Sequence, residues 1–166
     1  MNSSRWLWPI LLVACQFCAA QSHAVKIAPS GTTTISAAFG RMKVKAEFRT
    51  ATVQISIGEA SKRKFVQCTY SITPCSLTER VRLQIDGKGV VFPDSAYSDL
   101  GDITTAQLTT KAGLVILIIR GGDASEAYIA DLMFNRDRLL ERRLYSGEDP
   151  NHPLEISHYY VVSLGD

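Results

Sequence analysis

Apolar and polar residues alternate with a period of two along much of this chain. Over residues 42–49, apolar side chains occupy the even positions and charged side chains the odd positions. Over residues 52–57, the apolar side chains fall on odd positions instead. Successive side chains of a β-strand point to opposite faces, so each run predicts a strand with one buried face. The change of parity predicts a turn or a β-bulge near residues 49–52.

Further alternating runs predict more strands. Their shared faces consist of Val66, Cys68, Tyr70 and Ile72; of Val81, Leu83 and Ile85; and, in the last strand, of Leu154, Ile156, His158, Tyr160, Val162 and Leu164. Residues 86–89, with the sequence Asp-Gly-Lys-Gly, predict a hairpin turn into residues 90–92. Another strand is expected near residues 103–110.

The second half of the chain contains a run that is apolar at every position, residues 114–119. It predicts a central strand that is covered on both faces. A turn at residues 121–125 separates it from two runs, 128–134 and 139–145, that we interpret as strands. A helix over residues 124–145 is the alternative, because Ala, Leu, Glu and Arg are frequent there.

One segment, residues 93–101, favours a short helix of about two turns. Asp94 is a suitable N-cap and Gly101 a suitable C-terminal residue. Eight or nine strands with one short helix near residues 94–100 predict a mainly β, single-domain fold. We expect an antiparallel sandwich or a small barrel.

Length and charge exclude several classes of protein. A chain of 166 residues is long enough for one ordinary domain. Its 18 basic and 16 acidic residues give a net charge of +2, which does not indicate a nucleic-acid-binding protein.

The N-terminus has the pattern of an export signal. A single charge, Arg5, precedes the apolar run of residues 6–14, which is about half as long as a membrane-spanning helix. Small residues then favour cleavage after Ala20 or after Ala24. The sequence therefore predicts a signal peptide over residues 1–24 and one β-rich domain over residues 25–166, without a transmembrane segment.

A lipid anchor is the alternative, because residues 12–15 resemble the lipobox of bacterial lipoproteins, with Cys15 as the lipidated residue. Cysteine parity favours the unlipidated form. Cleavage after Ala20 or Ala24 leaves the even pair Cys68 and Cys75, whereas cleavage before Cys15 also retains Cys18 as an odd thiol.

The two remaining cysteines predict a structural disulfide, Cys68–Cys75. An exported chain favours oxidation, and the loop between them is short. A metal site would need two more ligands at suitable spacing, and a redox site would prefer a Cys-x-x-Cys spacing. We therefore expect no metal and no cofactor.

Candidate catalytic groups are few. They are His152, His158, the carboxylates Asp94, Asp99 and Asp102 around the short helix, and Asp123 with Glu126 after the glycine pair. The chain has no Gly-x-Ser-x-Gly motif and no phosphate-binding loop. Capping, turn formation and hydrogen bonding explain these residues, so we expect a protein that is not an enzyme.

Arginines are concentrated at Arg136, Arg138, Arg142 and Arg143. Acidic residues lie among them, which is typical of a solvated face with ion pairs. A patch for an acidic partner is the other interpretation. Together with Asp123 and Glu126, these arginines form the candidate binding surface.

Two segments carry a resemblance to known proteins. Residues 92–100 (FPDSAYSDL) and 121–128 (GGDASEAY) resemble segments of small exported proteins of proteobacteria without an assigned function. The resemblance covers about 17 of the 142 residues of the predicted domain. It implies a periplasmic or secreted location and no particular activity.

We therefore expect an exported binding protein of the bacterial envelope, whose partner is another envelope protein. One alternative is a carrier of a lipid or small molecule, which predicts an apolar cavity inside a barrel. Another is a hydrolase, which needs His158 or the carboxylates in a cleft.

Overall fold

The computed structural model describes residues 23–55, 67–69 and 74–161. These residues form ten strands and two single turns of 3-10 helix. The strands are β1 (Val25–Lys26), β2 (Gly31–Phe39), β3 (Met42–Val53), β4 (Cys75–Ile85), β5 (Lys88–Gly89), β6 (Ile103–Lys111), β7 (Leu114–Gly121), β8 (Tyr128–Phe134), β9 (Leu139–Ser146) and β10 (Pro153–His158). The 3-10 turns are η1 (Asp94–Ala96) and η2 (Ala124–Glu126). The predicted signal peptide and the candidate lipidation site Cys15 lie outside the described residues.

The strands form two antiparallel sheets. The six-stranded sheet has the order β1-β6-β7-β8-β9-β10, and the four-stranded sheet has the order β2-β3-β4-β5. Neither sheet closes on itself, so the fold is an open sandwich rather than a barrel. The predicted mainly β, antiparallel fold is confirmed, and β8 and β9 take the place of the alternative helix over residues 124–145.

One hydrophobic core joins the two sheets. The four-stranded sheet contributes side chains such as Phe48 and Leu83, and the six-stranded sheet contributes Leu117, Leu132 and Phe134. All five are at most 2% exposed. Burial of each such side chain contributes roughly 1.5–3 kcal/mol, so the alternating runs hold the sheets face to face.

The predicted irregularity near residues 49–52 is confirmed as a β-bulge. Arg49 pairs with Arg80, but Thr50 pairs with Thr78. The extra residue is therefore Glu79, on the neighbouring strand β4. The bulge lets the buried positions of β4 change from even, at Ser76 and Thr78, to odd, at Val81, Leu83 and Ile85.

The predicted hairpin turn after β4 is also confirmed. Asp86 and Gly87 have φ values of 52° and 81°, as the two central residues of a primed turn require. The turn leads into β5, and residues 90–92 form no regular strand beyond one isolated bridge at Val91.

The short helix is smaller than predicted. It is the single 3-10 turn Asp94–Ala96, and its N-cap is Pro93, without a capping side chain. Asp94 is the first helical residue, and its carboxylate accepts a hydrogen bond from the Tyr97 hydroxyl. The prediction that Asp94 is the N-cap is therefore wrong. Its carboxylate contacts the Tyr97 side chain instead of capping a backbone N–H group.

Two expectations about buried faces were wrong. In β7, Val115, Leu117 and Ile119 are buried, but the alternate positions of 114–118 are only half-buried, because the outer face of this sheet has no covering layer among the described residues. In β10, Leu154, Ile156 and His158 are exposed, because β10 lies at the edge of the sheet, outside the core.

The predicted strand around Cys68 is wrong for the residues that the structure describes. Gln67 lies in a turn, and Cys68 and Thr69 are irregular. Val66, Tyr70 and Ile72 of that run, as well as Val162 and Leu164 of the last run, lie outside the described residues. Across the described part of the chain, no helix has the length and apolar character needed to span a membrane.

Candidate functional site

The predicted disulfide joins Cys68 to Cys75, with 5.6 Å between the Cα atoms. Cys75 is fully buried at the start of β4, whereas Cys68 is half-buried before Thr69. The bond therefore ties an irregular segment to the core of the four-stranded sheet.

The buried carboxylate of Asp102 also connects this irregular segment to β4, through hydrogen bonds to Thr69 and Ser76. Its Oδ2 accepts hydrogen bonds from the backbone N–H (3.1 Å) and the hydroxyl (3.0 Å) of Thr69. Its Oδ1 accepts one from the N–H of Ser76 (2.7 Å). Asp102 is 4% exposed and has a φ of 46°, so a strained, buried residue links the two sides of the disulfide loop to β6.

A cleft of about 220 Å³ lies beside the Cys68–Cys75 disulfide. It is lined by Gln67, Cys68, Thr69, Asp99, Leu100, Glu126, Tyr128 and Leu144. The Tyr128 hydroxyl donates a hydrogen bond to the Gly101 carbonyl (2.8 Å), and burial strongly raises the pKa of Tyr128. The cleft is smaller than a typical site for a drug-sized ligand. The hydrogen bond of Tyr128 in its wall connects two parts of the backbone.

The disulfide should contribute measurably to stability. Replacing both cysteines by serine should lower the free energy of unfolding by about 2 kcal/mol, because the unfolded chain loses its short closed loop. Urea denaturation of the variant, compared with the oxidised and reduced wild-type protein, measures this effect. Reduced wild type should match the variant; a variant as stable as the oxidised protein would contradict the assignment.

The four arginines of the predicted binding surface do not share one surface. Arg142 is buried, with Nη2 2.6 Å from Asp99 and Nη1 3.5 Å from Glu155. Its neighbour Arg143 pairs with Glu141. Adjacent residues of a strand point to opposite faces, so the chain separates these two cations.

The other two arginines lie near the β8–β9 connection. Arg136 pairs with Asp86 at 3.1 Å, and Arg138 is half-buried. On η2, the side chain of Asp123 accepts a hydrogen bond from the N–H of Ala124, whereas Glu126 lines the cleft. The ion-paired residues of the predicted binding surface therefore have separate partners, and the six residues do not form one common patch.

The histidines lie apart from the cleft residues. His158 has Nδ1 3.3 Å from Glu141 on the edge of the six-stranded sheet, and His152 has Nδ1 2.9 Å from Asp149 in a loop. Among the described residues, no hydroxyl lies within hydrogen-bond distance of either ring, and no group of three metal-ligating side chains is present. Each imidazole thus contacts a single carboxylate at the surface.

Positive charge is concentrated on the outer face of the four-stranded sheet. Lys43, Lys45 and Arg49 alternate with the buried positions of β3, and Arg82 does so in β4. All four are exposed, and Glu47 is the carboxylate among them. We call this set the basic face.

Sheet register assembles the basic face from distant parts of the sequence. Arg82 lies opposite Glu47, and Gln84 lies opposite Lys45. Neighbouring side chains on one face are about 5 Å apart across strands and about 7 Å apart along a strand. On the adjoining β2, the outward residues are small and uncharged: Thr32, Thr34, Ser36 and Ala38. No acidic residue of β2 therefore lies opposite the basic residues of β3.

Glu47 is the acidic neighbour on this face, opposite Arg82, but most of the cations form no ion pair within the described ranges. Arg49 pairs with Glu79 at 2.9 Å. Lys43, Lys45 and Arg82 form no ion pair with any residue in the described ranges. This face was not predicted, although its charges occupy the odd positions of residues 43–49, because side chains that share one face of a sheet are not adjacent in sequence.

The outer face of the other sheet has a different character. Asp131 lies between Ile118 and Arg143 in neighbouring strands. Burial raises the pKa of its carboxyl, and Arg120 and Arg143 oppose that effect. This face is partly apolar, since the outward residues of β7 include Ile116 and Ile118.

Asp131 should lower stability at neutral pH. Because its folded pKa is raised, protonation stabilises the folded state at low pH, and this contribution is lost as the pH rises through the folded pKa. Asp131→Asn should therefore raise the free energy of unfolding at pH 7, and the gain should vanish below the unfolded pKa of about 3.8. Urea denaturation at several pH values measures it, with the exposed Glu148→Gln as control; a gain that persists at pH 3 would contradict it.

Comparison of the chain with protein families, with curated proteins and with solved structures finds no match.

Proposed function

We propose that this chain is an exported, non-catalytic binding protein of the bacterial envelope. It docks on an acidic surface of another envelope protein through the basic face. The observation that carries the proposal is the set Lys43, Lys45 and Arg82, which are exposed on one sheet face without ion-pair partners among the described residues.

The geometry of the basic face favours a protein partner. Its cations lie on paired strands, whose opposite faces are fixed in the core through residues such as Val44 and Leu83. The sheet therefore fixes the spacing of their Cα atoms, which suits a partner surface with carboxylates at fixed positions. Complementary charge of this kind increases the association rate and orients the two proteins.

Export is supported by two features. The first 24 residues have the pattern of a signal peptide. The Cys68–Cys75 disulfide is compatible with an oxidising compartment such as the periplasm or the extracellular space. Lipidation at Cys15 remains the alternative, and the intact mass of the exported protein distinguishes a lipidated from an unlipidated chain.

The carrier and hydrolase alternatives have weaker support. The described strands form an open sandwich filled by side chains such as Phe48 and Phe134, without a barrel interior for a lipid. The imidazoles of His152 and His158 each contact one carboxylate at the surface. A hydrolase would need a nucleophile and a base positioned together.

A polyanion of simple chemistry tests the proposal. Fluorescently labelled poly-L-glutamate should bind the purified protein at an ionic strength of about 0.02 M and lose at least about ten-fold in affinity at about 0.3 M, because salt screens exposed charges. Poly-L-lysine should not bind. Absence of poly-L-glutamate binding at low salt would overturn the proposal. Binding to phosphatidylglycerol vesicles without binding to poly-L-glutamate would replace the protein partner by a lipid surface.

A further inference from the structure

Strand β10 leaves an open edge on the six-stranded sheet. It pairs with β9 on one side, and no strand within the described ranges pairs with its other side. Of its six residues, only Ser157 is even half-buried. Such an edge is a template for pairing with another strand.

The backbone pattern shows which groups point outward. The N–H of Tyr159 donates to the carbonyl of Leu140 on the β9 side at 2.9 Å. In an antiparallel ladder, hydrogen bonding to one neighbour alternates along the strand. Ser157 and Glu155 therefore bond to β9, and Ile156 and His158 direct their N–H and C=O groups toward the open edge.

Apolar side chains are exposed along this same segment. Leu154 is 71% exposed and Ile156 is 48% exposed. Tyr160 and Val161, which follow β10, are exposed as well. Of the six large apolar residues that are exposed in the described part of the chain, four thus lie within residues 154–161.

We infer that a second copy of this chain pairs with β10 in antiparallel register, with Ile156 on the two-fold axis. This inference is independent of the proposed function, since the basic face lies on the other sheet. In this register, Ile156 meets Ile156 of the second copy, and their edge-facing N–H and C=O groups bond to each other. The two six-stranded sheets become continuous.

Charge favours this occupant and this register. With Ile156 on the axis, Glu155 lies opposite Ser157 of the second copy, and Leu154 lies opposite His158. No like charges oppose each other directly. A register centred on Glu155 would place two carboxylates against each other, which is destabilising. The charged residues of the strand therefore allow it to pair with a second copy in this register.

Cysteine crosslinking tests the register. Hydrogen-bonded residues that face each other across an antiparallel pair have Cα atoms about 5.5 Å apart, within the range of a disulfide. Oxidation of Ile156→Cys should give a covalent dimer. Ser157→Cys should not crosslink, because its symmetry mate is displaced by two residues along the strand. Crosslinking of Ser157→Cys but not of Ile156→Cys would overturn the register.

The mass in solution tests the assembly itself. Light scattering at about 100 μM should give a dimer for the wild-type protein and a monomer for Ile156→Lys. Val91→Lys is the matched control, since Val91 is 63% exposed and lies outside β10, and it should remain a dimer. A monomeric wild-type protein, a dimeric Ile156→Lys variant or an open-ended oligomer would each overturn the inference.

Discussion

Replacing Asp102 by alanine should lower the free energy of unfolding by about 3 kcal/mol. The carboxylate is buried and accepts hydrogen bonds from Thr69 and Ser76. Alanine leaves the two backbone N–H groups without this acceptor, and each such buried group costs roughly 1–3 kcal/mol. Alanine also tolerates the positive φ of this position less well than asparagine does.

Two variants separate the hydrogen bonds from other effects at Asp102. Asp102→Asn keeps one acceptor oxygen and the backbone conformation, so it should lose about half as much as alanine does. Asp123→Ala removes an exposed carboxylate that accepts one backbone hydrogen bond at η2, and should cost about 1 kcal/mol or less. Urea denaturation measures all three. Equal losses for Asp102→Ala and Asp123→Ala would contradict the anchoring role of Asp102.

The alternating pattern predicted most of the fold. The parity of residues 42–49 identifies the buried face of β3, and the parity change at residue 50 identifies the bulge. Parity shows which residues share a face, but not whether that face is covered. Ile156 and Ile118 illustrate this, because the exposure of each side chain depends on the position of its strand and face in the sheet.

The candidate site was less predictable. Arg142 and Arg143 are adjacent in sequence, and strand geometry alone would have separated them. The alternation of Lys43 and Lys45 with buried residues was visible, but their position beside Arg82 depends on the pairing of β3 with β4. That register follows from the turn, the bulge and the core together, so a one-dimensional charge count cannot supply it.

Charge reversal on the basic face should abolish most of the proposed binding. The triple variant Lys43→Glu, Lys45→Glu and Arg82→Glu replaces three exposed cations that have no ion-pair partner among the described residues. Each reversal should cost roughly 1 kcal/mol of binding free energy, since an attraction is replaced by a repulsion. The sum corresponds to about a 100-fold increase in the Kd for poly-L-glutamate.

A control variant with the same change in net charge separates the effect of where the charges lie from the effect of the total charge. Lys26→Glu, Lys111→Glu and Arg120→Glu reverse three exposed cations of the six-stranded sheet. The direct test is the ratio of the Kd values of the two triple variants for poly-L-glutamate at an ionic strength of about 0.1 M. Binding through the basic face predicts a Kd at least about ten-fold higher for the Lys43, Lys45 and Arg82 variant than for the control. Equal Kd values would show that only net charge matters and would contradict a binding site on the four-stranded sheet.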